Sequence, residues 1–220
     1  MSLAGRVSKE LTRKLHTVYA LTNAGIVRPE RPDRAARMAL AMLRWGPTPA
    51  AGYAVSAARY PDEPAVIDEL GQLTFREVHE RTNALAHALA DDGIVEGDGV
   101  AIMCRNHRGF IDAYVACSKL GANALFLNTA FSGPQITDVV KRENPRALIF
   151  DHEFSGLVKD AAKRRRRYIA WHDPDDGRAR DPRIENLVDG GERSLVSPRS
   201  MRSSMRGSRV LPSSGSCQAM

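Results

Sequence analysis

Residues 73–128 predict an α/β domain with a largely parallel sheet. Two observations predict it, and a third marks off its extent. First, the apolar period here switches between helix-like and strand-like several times. Second, the strand-like runs are short, apolar and bounded by turn residues, as strands buried on both faces are. Third, charge marks off a globular middle. Residues 1–46 carry nine Lys/Arg against three Asp/Glu, residues 47–162 ten against sixteen, and residues 163–220 thirteen against seven. An acidic middle between two basic ends argues for separate segments rather than one nucleic-acid-binding domain. With 220 residues, 43% of them hydrophobic, the chain can bury one good core.

Taken in order, residues 6–24 form an amphipathic helix, with Val7, Leu11, Leu15, Val18 and Thr22 on one face and Gly25 as its stop. Asp33 caps a second helix with Met38, Ala39, Met42, Leu43 and Trp45 as its apolar face. A third helix runs from residue 50 to 59. These basic helices either pack on the globular body or lie on an anionic membrane surface; the narrow stripe favours packing. Residues 65–67 form a strand, and Gly71 marks a turn before Leu73.

Thr74 and Glu77 have capping-box spacing. Phe75, Val78, Thr82, Leu85, Ala86 and Leu89 then share one face, with Arg76, Glu80, Arg81 and Asn83 off it, and Gly93 ends the helix. Residues 100–104 are a buried strand. Phe110, Ala113, Tyr114, Cys117 and Leu120 form the next helical stripe, closed by Gly121, and residues 123–128 the next strand. Ser132 and Gln135 open a helix with Pro134 in its first turn, Ile136, Val139 and Val140 on its buried side, and Asn144 followed by proline at its end. A strand over 147–150, a helix over 154–162, a strand over 168–170 and a helical turn over 184–188 complete the pattern. Residues 194–220 hold many Ser and Arg and no acid, a composition that predicts disorder.

Few residues point to chemistry. Cys104 and Cys117 lie on apolar stripes and read as small buried hydrophobes; with Cys217 they form no CxxC and no disulfide framework. His107 reads as an N-terminal turn residue bonding locally, and His79 and His87 as boundary residues without a third metal ligand. Asn128 and Thr129 end a strand, where ligands of α/β sheets often sit. The run KRRRR at 163–167 reads as a solvated helix end rather than a specific nucleic-acid site, because Asp173, Asp175 and Asp176 follow and no aromatics interleave. GxxxxGK[ST], GxSxG, HExxH and GxGxxG do not occur. No run approaches the ~20 apolar residues of a membrane span, and residues 15–27 are too interrupted for a signal-peptide core. A cytoplasmic chain, peripheral to the membrane if its basic helices touch lipid, is the expectation.

Three segments carry a resemblance: LTFREV (73–78), RNHRGFIDAY (105–114) and SKLGANALFLNTAFSGPQ (118–135). They resemble, in order and at matching spacing, the start of fatty-acid–CoA ligases of the adenylate-forming, AMP-binding superfamily, especially the actinobacterial acyl-CoA synthetases. The resemblance covers residues from about 60 to about 187. It implies an incomplete N-terminal subdomain of such a ligase, with amphipathic helices over 1–59, a partial AMP-binding domain over 60–192, and a tail over 193–220 that a frame shift near residue 194 would explain. A hairpin before the helix opened by Thr74 is also implied.

The complete family uses ATP, Mg and CoA to make an acyl-adenylate and then an acyl-CoA, with a glycine-rich phosphate loop ending in Pro-Lys-Gly and a C-terminal lysine. Residues 210–216 (VLPSSGS) resemble only the start of that loop, and no Pro-Lys-Gly follows. The expectation is therefore a truncated ligase, inactive alone, with no catalytic, cofactor-binding or metal residue assigned and no cofactor of its own. The alternatives are one half of a split enzyme, completed by a ligase fragment encoded downstream, and a non-catalytic module holding a membrane surface or protein partner. Self-association is expected, as is weak contact with anionic membranes; specific nucleic-acid binding is not.

Overall fold

The computed structural model describes residues 30–163, 165–171 and 181–191, with His16, Tyr19 and Ala20. The helix expected over 6–24 lies outside the described residues except for those three, which are helical; Cys217 and the expected tail lie outside them too. The chain divides into two units, residues 1–37 and 38–220, with the boundary inside helix α1 (Pro32–Trp45).

In the second unit α2 (Pro49–Arg59) follows, capped by Thr48, whose hydroxyl accepts from Ala51 N–H. A hairpin, β1 (Pro64–Asp68) and β2 (Gly71–Thr74), is antiparallel. Then come α3 (Phe75–Asp91), β3 (Gly99–Met103), α4 (Arg108–Leu120), β4 (Asn123–Phe126), α5 (Gly133–Glu143) and β5 (Ala147–Phe150). A 3-10 turn (His152–Phe154), the single-turn α6 (Ser155–Val158), β6 (Arg166–Ile169) and α7 (Ile184–Gly190) complete the described chain. The four-stranded sheet has order β4-β3-β5-β6 and is parallel throughout.

The period-2 pattern explains both faces. Val100 and Ile102 of β3, with Ala147 and Ile149 of β5, face a core built with Leu85 and Leu89 of α3, Ala116 of α4 and Val188 of α7. Ala101, Met103, Leu148 and Phe150 face the other core, with Ile136 and Val140 of α5 and Val158 of α6. Each fully buried aliphatic side chain contributes ~1.5–3 kcal/mol. The sheet is thus covered on both faces, as parallel sheets require.

The local signals hold. Thr74 N–H donates to Glu77 Oε2 at 2.7 Å and Glu77 N–H to Thr74 Oγ1 at 3.3 Å, closing the capping box. Gly121 ends α4 at φ 74°, a left-handed turn that a Cβ would strain.

Four expectations change. Asn83 and Arg81 do not lie on an outer face: Asn83 is buried, and the Arg81 side chain is 12% exposed, because α4 and α7 pack on α3 from different sides. On α1 the packed residues are Ala41 and Trp45, while Leu43 is 85% exposed. The helix expected over 154–162 is only one turn long, because Gly156 weakens it and the chain turns there toward β6. The last strand is Arg166–Ile169 rather than 168–170, since its side chains, including two arginines, take the parallel register against β5.

Candidate functional site

In this strand order the connection after β3 passes to the α4 face and the connection after β5 to the α5 face. The crevice outside the carboxyl ends of β3 and β5 is therefore the switch point where ligands of open α/β sheets bind. Here the chain's own side chains fill it. Asp151, directly after β5, accepts from His107 Nε2–H at 2.9 Å and from the Arg105 N–H at 2.7 Å. His107 Nδ1 accepts from Gly109 N–H at 3.0 Å, capping α4. That assigns the Nε2–H tautomer and leaves neither ring nitrogen free. The imidazole lies against the Trp171 ring, centroids 4.7 Å apart. Gly109 closes the site further: a Cβ there would lie 2.6 Å from the Ala170 carbonyl oxygen.

Two features that could take an anion or act as a nucleophile are also occupied. The N-terminus of α4 holds the Asp68 carboxylate, which accepts from Arg108 N–H at 2.9 Å and from the Arg108 guanidinium at 2.6–3.1 Å. Hydrogen bonds from Arg108 hold the Asp68 pKa down at about 2. Burial and the neighbouring Asp151 charge raise the Cys104 thiol well above its ordinary value, and burial pushes Cys117 up to about 12. Both are protonated near neutral pH and poor nucleophiles, as expected of structural cysteines.

Between α3 and α4 lies a second polar cluster. Arg81 bridges Asp112 Oδ2 at 2.6 Å and Glu185 Oε2 at 2.7 Å, joining α3, α4 and α7. Lys119 Nζ donates to the His79 carbonyl at 2.8 Å, Thr82 Oγ1 at 2.7 Å and Asn83 Oδ1 at 2.6 Å. Burial pushes the Lys119 pKa well below its ordinary value, and the Asp112 charge opposes that shift. Burial, then the Lys119 charge, hold His79 down at about 3. Both clusters fasten helices to one another and present no reactive group to solvent.

Asn128 sits two residues past β4, exposed, its Oδ1 accepting from Ala130 N–H at 2.9 Å; it forms a turn. His107 does bond locally, as expected, but its partnership with Asp151 was missed; an acid directly after an apolar strand was the available signal. Three arginines of the basic run, Arg165, Arg166 and Arg167, are engaged by the fold. Arg165 donates to the carbonyls of Val140 at 3.3 Å and Pro145 at 3.0 Å at the end of α5. Arg166 pairs with Asp92 at 3.0 Å and Arg167 with Asp181 at 2.7 Å. Among the described residues no helix is long and apolar enough to cross a membrane.

Comparison with known proteins gives this geometry its context. The family profile "AMP-binding enzyme" matches residues 53–202. A fatty acid–[acyl-carrier-protein] ligase of Streptomyces coeruleorubidus is 28% identical over 103 residues, 47% of this chain and 20% of its own length. Long-chain fatty acid transport protein 6 of Homo sapiens is 30% identical over 105 residues, 47% of this chain and 17% of its own. The chain thus spans about a fifth of the length of these curated relatives. A benzoate CoA ligase from Burkholderia xenovorans superposes with TM-score 0.60 at 18% identity, over 68% of this chain and 30% of that one. A Mycobacterium tuberculosis fatty acyl CoA synthetase does so with TM-score 0.55 at 19% identity, over 67% and 29%. By its profile match, its fold and these acyl-CoA ligase likenesses, the chain belongs to the AMP-binding enzyme family and has the fold of the N-terminal region of adenylate-forming ligases.

Proposed function

We propose that residues 1–220 supply the N-terminal part of a fatty-acid–CoA ligase and do not activate a fatty acid on their own. The inherited reaction is attack of a fatty-acid carboxylate on the α-phosphate of ATP, giving acyl-adenylate and pyrophosphate, followed by acyl transfer to CoA. Relatives named as ligases of medium- and long-chain fatty acids in Mycobacterium marinum and Mycolicibacterium smegmatis support that substrate class and the actinobacterial type. The single observation that carries the inactivity is the closed carboxyl edge. His107, Asp151 and Trp171 occupy the switch-point crevice, and Asp68 occupies the α4 N-terminus.

Adenylation needs fixed donors and a cation aimed at charge developing on the phosphates. In the complete enzyme ATP, Mg and CoA would be held by residues outside this set, and among the described residues no group of three or more His, Cys, Asp or Glu could hold a metal ion. Calorimetric titration with Mg·ATP, with and without palmitate, tests this. No saturable, acid-dependent heat is expected; such heat would sink the proposal.

A split enzyme is favoured by one observation. β4 is an edge strand without charge or proline, and Phe126 on it is 54% exposed against Phe110 and Tyr114. An unprotected edge of this kind is a template for another strand. A ligase fragment completing the sheet there would restore activity only in the mixture.

A further inference from the structure

The outer face of α1 is apolar although its inner face is already packed. Ala41 and Trp45 point inward to Ala50, Ala51 and Ala54 of α2, and Trp45 Nε1–H donates to the Lys119 carbonyl at 3.3 Å. Off that packed face Leu40 is 52% and Leu43 85% exposed, and Met42, on the other flank, 46%. Leu40 and Leu43 are three residues apart, so they form one ridge. A surface helix normally turns polar residues outward; an apolar stripe on each side marks a helix with a second partner.

We infer that this ridge docks on an anionic lipid bilayer, a role independent of the ligase reading. Charge identifies the occupant. Arg44 lies beside the ridge on α1, and residues 1–46 carry nine Lys/Arg against three Asp/Glu. Residues 47–162 carry ten against sixteen and residues 163–220 thirteen against seven, so an anionic surface repels the middle of the chain and attracts its two basic ends, of which the first holds α1 and the apolar ridge. A second copy fits less well. Three side chains fall short of the roughly 1,200 Å² of a stable interface, and a two-fold contact would set the same arginines against each other. A bilayer sets no such minimum area, and a basic helix with an apolar face lies in its interface plane.

Co-sedimentation of the full chain with vesicles of phosphatidylglycerol and phosphatidylcholine in equal parts tests this. Binding is expected, weaker on phosphatidylcholine alone and at about 0.5 M salt, where screening is short-ranged. Leu40→Glu with Leu43→Glu should cut partitioning at least about tenfold with an unchanged thermal transition. Leu43→Ser, at the most exposed of the three positions, should act in the same direction without adding charge, and covers the case in which the double variant folds poorly. No binding by the wild type overturns the inference. So does binding that Leu43→Ser and the double variant leave intact, since attachment then lies elsewhere. A wild-type dimer in sedimentation that Leu43→Ser dissolves also overturns it, because a second copy then covers the ridge.

Discussion

Asp68 and His79 each make this fold less stable in acid. Asp68 has its pKa held at about 2 by Arg108, against ~3.9 in an unfolded chain. A depressed carboxylate contributes stability above the unfolded value and loses it as pH falls toward the folded one. His79 is held at about 3, against ~6.5 unfolded. Between these two values the unfolded chain binds the extra proton, so stability also falls as pH drops through that window. Denaturant melts should show stability declining from about pH 6.5 downward, before carboxylate titration begins. His79→Gln should flatten the upper part of that decline, and Asp68→Asn the part below about pH 4. Asp68→Asn should also cost about 2 kcal/mol near neutral pH, because Arg108 loses its charged partner. An unchanged pH profile in both variants would show that neither group titrates as the structure implies. None of this was legible in the sequence: Asp68 and Arg108 are 40 positions apart, as are His79 and Lys119.

Elements were more legible than their partners. The α3 capping box could be read from Thr74 and Glu77 because its contacts are local. Thr74→Ala should cost about 1 kcal/mol in urea melts; no change would mean that packing alone places the start of α3. The entry to α4 is different. His107 reads from its position as a turn residue, but its partner Asp151 and the approach of Gly109 to Ala170 arise only from the parallel register of β3, β5 and β6. Gly109→Ala should destabilise by about 2 kcal/mol or more, since backbone rather than a flexible side chain lies in the way. A thermal transition equal to wild type would show that β6 can shift freely. The basic run read as a helix end because like charges cluster there; in the fold its arginines cap α5 and pair with Asp92 and Asp181. The ridge on α1 escaped notice because one periodic stripe cannot say which of its residues face inward.

At the scale of the molecule, the parallel sheet was readable from alternating periods, and the family from three ordered segments. The strand order was not, because it depends on which face each crossover takes. That order leaves β4 at an edge with Phe126 exposed. Analytical sedimentation should therefore show concentration-dependent association that Phe126→Lys suppresses, as a charge on an edge strand does; association untouched by this change would place the contact elsewhere.

We propose this region as a ligase scaffold that does not activate a fatty acid on its own. Pyrophosphate release from ATP, with and without fatty acid, tests it most directly, because loss of even one transition-state donor costs ~10²–10³ in rate. Residues 1–220 alone should give no fatty-acid-dependent release, even where basic residues retain some ATP at low salt. Fatty-acid-dependent release by the isolated chain would contradict the account.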